Sequence, residues 1–155
     1  MTQKIAVFPG SFDPITKGHV NIVERALPLF DKVIIAIGNN SSKKYAFSFA
    51  QREQWIKDIF KKHKNIEVMA YEGLTVNFVK KVNATYLIRG IRNSNDFEYE
   101  KTIAQLNKAM APELETICIL SDPEHAHISS TIVREIILNG GDPGIFLPEE
   151  VKLKV

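Results

Sequence analysis

A chain of 155 residues, 45% hydrophobic and 25% charged, is sized and composed for one ordinary globular domain, which excludes disordered and fibrous classes. The net charge of +2 is too small to argue for a nucleic-acid surface, no apolar run approaches the ~20 residues that span a bilayer, and the first residues carry no signal-peptide pattern. The expectation is a single domain over residues 1–155, cytosolic, with no nucleic-acid or membrane partner.

Taken in chain order, five short apolar runs predict strands at residues 4–8, 32–37, 66–71, 84–88 and 115–120, each followed by a helical pattern. After the first, Val20, Val23, Leu27 and Phe30 recur at spacings of three and four, with Pro28 expected to kink or end that helix. Ser48-x-x-Gln51 reads as a capping box ahead of Trp55, Ile56, Ile59 and Phe60 on one face. Further helices are predicted over 75–82, 97–109 and 130–138, the last before Gly140-Gly141, and a short closing helix after Pro148. The lone cysteine, Cys118, sits in the fifth apolar run, reads as a small buried side chain and rules out an internal disulfide. Strands alternating with helices imply right-handed βαβ units: an α/β, Rossmann-like, doubly wound, five-stranded parallel sheet with helices on both faces. Such sheets bind ligands beyond the carboxyl ends of their strands. The polar segments 10–19, 38–44, 72–75, 89–92 and 121–131 each follow a predicted strand, so they are expected to line one crevice.

The most informative of these is Pro9-Gly10-Ser11-Phe12-Asp13-Pro14-Ile15-Thr16-Lys17-Gly18-His19. A strand that ends in Pro-Gly and leads into a helix leaves backbone N–H groups unpaired where the macrodipole favours an anion. Gly18 lets a bulky anion approach the backbone, and His19 donates a hydrogen bond to phosphate oxygens whether neutral or charged. Asp13-Pro14 reads as turn chemistry rather than a metal ligand. Lys43 and Lys44 fit either a solvated loop or a phosphate site. Arg89-Gly90-Ile91-Arg92 places a fixed fork of donors at the sheet's carboxyl edge, suited to phosphate.

Asp96 to Glu100 open a helix, where acids are ordinary macrodipole partners. His125-x-His127 lacks a third or fourth metal ligand nearby, so no protein-held metal is expected. Ile128-Ser129-Ser130-Thr131 again sets hydroxyls and N–H groups at a helix start, more of them than a cap requires, with Arg134 one turn inside. There is no G-x-x-x-x-G-K-[ST], no G-x-G-x-x-G and no nucleophile elbow. Without a committed nucleophile, direct transfer between two bound phosphates is favoured.

Gly10 to Pro14 through Gly18-His19, Arg89 to Arg92, Asp96 to Glu100 and Ile128 to Thr131 together resemble the nucleotidyltransferases with T/H-x-G-H and I-S-S-T signatures. In this order they resemble, within that superfamily, the phosphopantetheine adenylyltransferase family, from about Ile5 to Pro148. The resemblance implies transfer of the adenylyl group of ATP to 4′-phosphopantetheine with Mg²⁺, giving dephospho-coenzyme A and pyrophosphate, in a homohexamer. It implies that His19 stabilises charge on the α-phosphate and that Ser11 and Phe12 meet the nucleotide, Ser11 also touching the attacking phosphate. Lys43, Thr75 and Arg89 would hold phosphopantetheine. Gly90, Ile91, Arg92, Glu100 and the stretch His125, Ala126, His127, Ile128, Ser129, Ser130 and Thr131 would hold ATP. Two positions depart from the family pattern: Ser11 stands where Thr is usual, and His125 where a larger aromatic residue is common. Superfamily members acting on glycerol phosphate, choline phosphate or nicotinamide mononucleotide, and a non-catalytic nucleotide sensor, are the rival readings.

Overall fold

A computed structural model describes residues 2–154; residues 1 and 155, the ends of the expected domain, lie outside the described residues. Strands β1 (Ile5–Gly10), β2 (Lys32–Gly38), β3 (Ile66–Tyr71), β4 (Tyr86–Ile91) and β5 (Glu115–Leu120) form one parallel sheet in the order β3-β2-β1-β4-β5. The chain winds outward from β1 to β3, returns across the sheet and winds outward again from β4. Order therefore reverses beside β1, where such sheets open a crevice. This is the doubly wound α/β sheet that the sequence predicts.

The inner strands are apolar on both faces because helices cover both. Ala6, Phe8, Val33, Ile35 and Ile37 pack beneath α1 (Lys17–Ala26), α2 (Phe49–Phe60) and α5 (Ser130–Leu138), through Ile22, Val23, Trp55, Ile56 and Val133. The alternate residues Val7, Ile34, Ala36 and Leu87 pack against Val76, Phe78 and Val79 of α3 (Thr75–Lys81) and against Ala111, just past α4 (Ser94–Met110).

Pro28 acts as expected: α1 stops at Ala26 and the chain tightens into a 3₁₀ turn over Leu27–Leu29. Four expectations need correction. β4 spans Tyr86–Ile91 rather than 84–88, because Arg89, Gly90 and Ile91 pair with Cys118, Ile119 and Leu120 of β5. Arg89 and Gly90 have little strand propensity, but the ladder recruits them, so they belong to the strand and not to the loop beyond it. α4 begins at Ser94 rather than 97, since the Asn93 side chain accepts from Asp96 N at 2.9 Å and caps it. No helix follows Pro148 among the described residues; a 3₁₀ turn over Gly144–Phe146 precedes it, and Leu147 and Val151 are buried from an irregular segment. Cys118 is exposed, because β5 is the sheet's edge and its Cys118 face is left open.

Candidate active site

β1 ends at Gly10, and the turn that follows is set by aromatic packing. A side chain on Gly10 would come within 3.1 Å of the Phe12 ring. Phe12 itself has φ 48°, a left-handed conformation that costs a bulky residue of order 1–3 kcal/mol. Burial holds it there: Phe12 is 2% exposed, with its ring centroid 5.5 Å from Phe8 and 5.1 Å from His19. The strained residue thus forms a wall against the His19 imidazole.

His19 is fixed a second time by the start of α1. Thr16 caps the helix by accepting from His19 N, and His19 Nδ1 accepts from Thr16 N at 3.0 Å, a reciprocal capping box with imidazole in the usual Glu position. An Nδ1 that accepts leaves the proton on Nε2, so the nitrogen free to meet a ligand is a donor. Burial, followed by the charges of Arg89 and Arg92, lowers the His19 pKa to about 4. The ring is therefore neutral at pH 7. Between pH 6.5 and about 4 the unfolded chain protonates this imidazole and the folded chain does not, so ligand-free stability falls as pH drops through that window. Imidazole NMR is expected to find the neutral Nε2–H form persisting below pH 5, and His19→Ala is expected to flatten the decline in denaturation midpoint. Protonation near pH 6.5 in the folded protein would contradict both.

A side chain at Gly18 would meet Thr16 Oγ1 at 3.5 Å and the His125 and Ile128 carbonyls at 3.8 and 4.0 Å, all ordinary contacts. The protein's own packing does not demand glycine there. Its bare backbone instead leaves open floor in a cavity of about 250 Å³ lined by Phe12, His19, Gly90, Arg92, His125 and Ile128 to Ser130. Two helix N-termini meet at this cavity. Ser130 Oγ donates to Pro14 O at 2.8 Å and Arg134 donates to Asp13 O at 2.8 Å, which docks the start of α5 on the turn preceding α1. Lys17 Nζ donates to Ile145 O at 2.8 Å, tying the turn near the chain's end to the same place.

A larger cavity of about 750 Å³ lies alongside, lined by Ser11, Lys43, Thr75, Tyr99 and Asn107. The two share Pro9, Gly10, Arg89 and Glu100. Lys43 Nζ donates to Ser11 Oγ at 2.9 Å. Asp13 is 4% exposed, and its carboxylate accepts from Ala46 and Phe47 N at 2.8 and 2.9 Å, so it tethers the loop that carries Lys43.

The arginines are already engaged. Arg89 grips Glu100 in a bidentate pair at 2.8 and 2.7 Å and donates to Pro9 O at 2.9 Å. Arg92 pairs with Asp96 at 2.9 Å. Burial works to raise the Asp96 pKa, but hydrogen bonds and charge from Arg92, with Arg89 behind it, hold the carboxyl below its ordinary range. With both carboxylates occupied, no group of three or more His, Cys, Asp or Glu side chains among the described residues is placed to hold a metal ion.

Of the residues singled out from the sequence, Ser11, Lys43, Thr75 and Arg89 line the larger cavity, and Phe12, His19, Gly90, Arg92, Glu100, His125, Ile128, Ser129 and Ser130 the smaller. Four line neither. Ile91 is buried in the core, Ala126 lies off the lining, His127 packs against Phe146, and Thr131 accepts from Arg134. Sequence reasoning missed Tyr99 and Asn107. It also missed Arg52, a charge sitting on the same helical stripe as Trp55 and Ile56.

Sheet order, a phosphate-suited turn and two abutting cavities define a nucleotidyltransferase-like protein. The family model described as cytidylyltransferase-like matches residues 7–136. A phosphopantetheine adenylyltransferase of Flavobacterium psychrophilum is 49% identical over 96% of this chain and 98% of its own, and one of Cytophaga hutchinsonii 51% identical over 96% and 99%. The chain belongs to the phosphopantetheine adenylyltransferase family, within the cytidylyltransferase-like nucleotidyltransferases. A solved Vibrio parahaemolyticus structure, described as that of a nicotinate-nucleotide adenylyltransferase, shares the fold with a TM-score of 0.72 at 19% identity, covering 97% of this chain and 96% of that one.

Proposed function

We propose that the protein transfers the adenylyl group of ATP to 4′-phosphopantetheine, releasing pyrophosphate and forming dephospho-coenzyme A. The observation that carries this reading is the junction: two cavities of different size meet at Gly10 and Arg89, with His19 on one side and Lys43 on the other. ATP occupies the smaller cavity, against Gly18, Gly90 and the starts of α1 and α5. Phosphopantetheine occupies the larger, its phosphate near Ser11 and Lys43 and its arm along Tyr99, Ile103 and Asn107. The relatives' names and the family membership support both substrates.

Bringing two phosphates together is opposed by their charge. Positioning and preorganised donors overcome that opposition, since the donors are oriented before the reaction begins. The attacking phosphate needs no general base, because its second pKa is about 6. It attacks the α-phosphorus in line; the P–O bond to the β-phosphate breaks, and pyrophosphate leaves with the bonding pair. His19 Nε2–H hydrogen-bonds the α-phosphate oxygen on which charge grows. Mg²⁺ bound to the ATP phosphates, with no carboxylate cluster among the described residues of this chain to hold it, would supply charge neutralisation there. The family resemblance also supports a cytosolic homohexamer. Leu106 and Met110, one turn apart on α4 and 55% and 48% exposed, offer apolar surface for contacts between subunits.

Pyrophosphate release is expected with ATP and 4′-phosphopantetheine together and not with either alone. CTP in place of ATP, and nicotinamide mononucleotide in place of the acceptor, serve as controls. Turnover with a control pair and none with phosphopantetheine would reassign the substrates.

A further inference from the structure

Arg52 carries the largest fully buried side chain, 1% exposed, on a helix face whose other members are apolar. A buried guanidinium is costly unless its charge and donors are satisfied. Here they are satisfied only in part. No carboxylate lies within ion-pair distance of Arg52 among the described residues, and its Nε has no partner. One terminal nitrogen donates to Ser11 O at 2.7 Å and Gly38 O at 3.3 Å, and the group lies 3.9 Å over the Tyr45 ring. Burial lowers its pKa, opposed first by the charge of Asp13.

The atoms it holds are a joint. Ser11 and Gly38 are where the chain leaves β1 and β2, and Ser11 Oγ receives Lys43. Tyr45 closes the ring, its hydroxyl donating to Gly38 O at 3.2 Å and accepting from Asn40 N at 3.0 Å. Ser11, Gly38, Lys43 and Tyr45 all line the larger cavity, and Arg52 stands behind them. Of the other basic groups lining the cavities, Arg89 is spent on Glu100 and Arg92 on Asp96, while His19 is neutral. Lys43 and Arg52 are left without a carboxylate partner.

We propose that Arg52 is a positioning residue for the acceptor's phosphate: it locks Ser11 and the Lys43 loop in register and adds positive charge behind them. The inference rests on the substrate assignment above. Arg52→Met is expected to raise KM for 4′-phosphopantetheine about tenfold or more, the worth of a charged hydrogen bond, with KM for ATP unchanged within about twofold. Arg52→Lys, which keeps the charge but loses the fork, should recover the salt dependence of that KM but only part of the affinity. If Arg52→Met does not fold, Tyr45→Phe takes its place. That variant keeps the ring under the guanidinium, loses both hydroxyl bonds, and is expected to raise the same KM several-fold. An unchanged phosphopantetheine KM in the folded variant, or equal rises for both substrates, overturns the inference. Wild-type protein inactive on phosphopantetheine would instead overturn the assignment of function.

Discussion

His19→Ala is expected to lower kcat by about 10²-fold or more while the Kd for ATP changes little. A preorganised donor aimed at developing charge is worth about 2.7–4 kcal/mol in the transition state and much less in the ground state. The geometry makes His19 such a donor. Its Nδ1 is committed to Thr16 N, its ring is walled by Phe12, and its neutral state keeps the proton on Nε2. Alanine also removes half of a capping box, at a cost of about 0.5–2 kcal/mol in stability. His19→Gln, the usual side chain in such a box, is expected to restore stability without restoring the full rate. Single-turnover kinetics and calorimetric ATP binding separate the two effects. Parallel losses in ATP affinity and rate would make His19 a binding residue instead.

The second large effect is expected at Glu100, which is 7% exposed and accepts from Nε and Nη2 of Arg89 at the junction of the cavities. Glu100→Ala leaves a guanidinium with one carbonyl partner, Pro9 O, in a site built for a pair. Breaking a buried pair from one side costs about 3–5 kcal/mol. Arg89 keeps 30% of its side-chain surface in contact with solvent, which puts the expected loss near the lower end. Adding Arg89→Met should recover part of the loss, because the stranded charge goes with it. Urea denaturation of the two single variants and the double variant closes the cycle. A loss under about 0.5 kcal/mol for Glu100→Ala would mean that the pair is as dispensable as an ordinary surface bridge.

The apolar runs reveal β1 and β2 because burial on both faces requires unbroken hydrophobic sequence, and the edge strands β3 and β5 through shorter apolar stretches. The end of β4 stays hidden because Arg89 and Gly90 are strand residues only by virtue of the ladder with β5. Cys118 misleads for the converse reason: it sits in an apolar run, but on the open face of an edge strand. At the site, Gly10 to His19 are legible because helix starts, hydroxyls and glycine have local meanings. The pairing of Arg89 with Glu100 is not, since position on α4 suggested only a macrodipole partner. Arg52 is hidden within Gln51-Arg52-Glu53-Gln54, where the polar neighbours mask its place on the buried stripe.

The hydrogen bonds that seat the first motif reach far along the chain: Pro14 to Ser130, Asp13 to Arg134 and Ile145 to Lys17, separations of 116, 121 and 128 residues. During synthesis, α1 and its histidine emerge from the ribosome more than a hundred residues ahead of these anchors. A nascent chain that has reached only β5 already contains every residue from Pro9 to His19, but the carbonyls of Asp13 and Pro14 have no partner on α5 and Lys17 has none at Ile145. The motif is therefore encoded in one short stretch and assembled only once segments more than a hundred residues further on have been made.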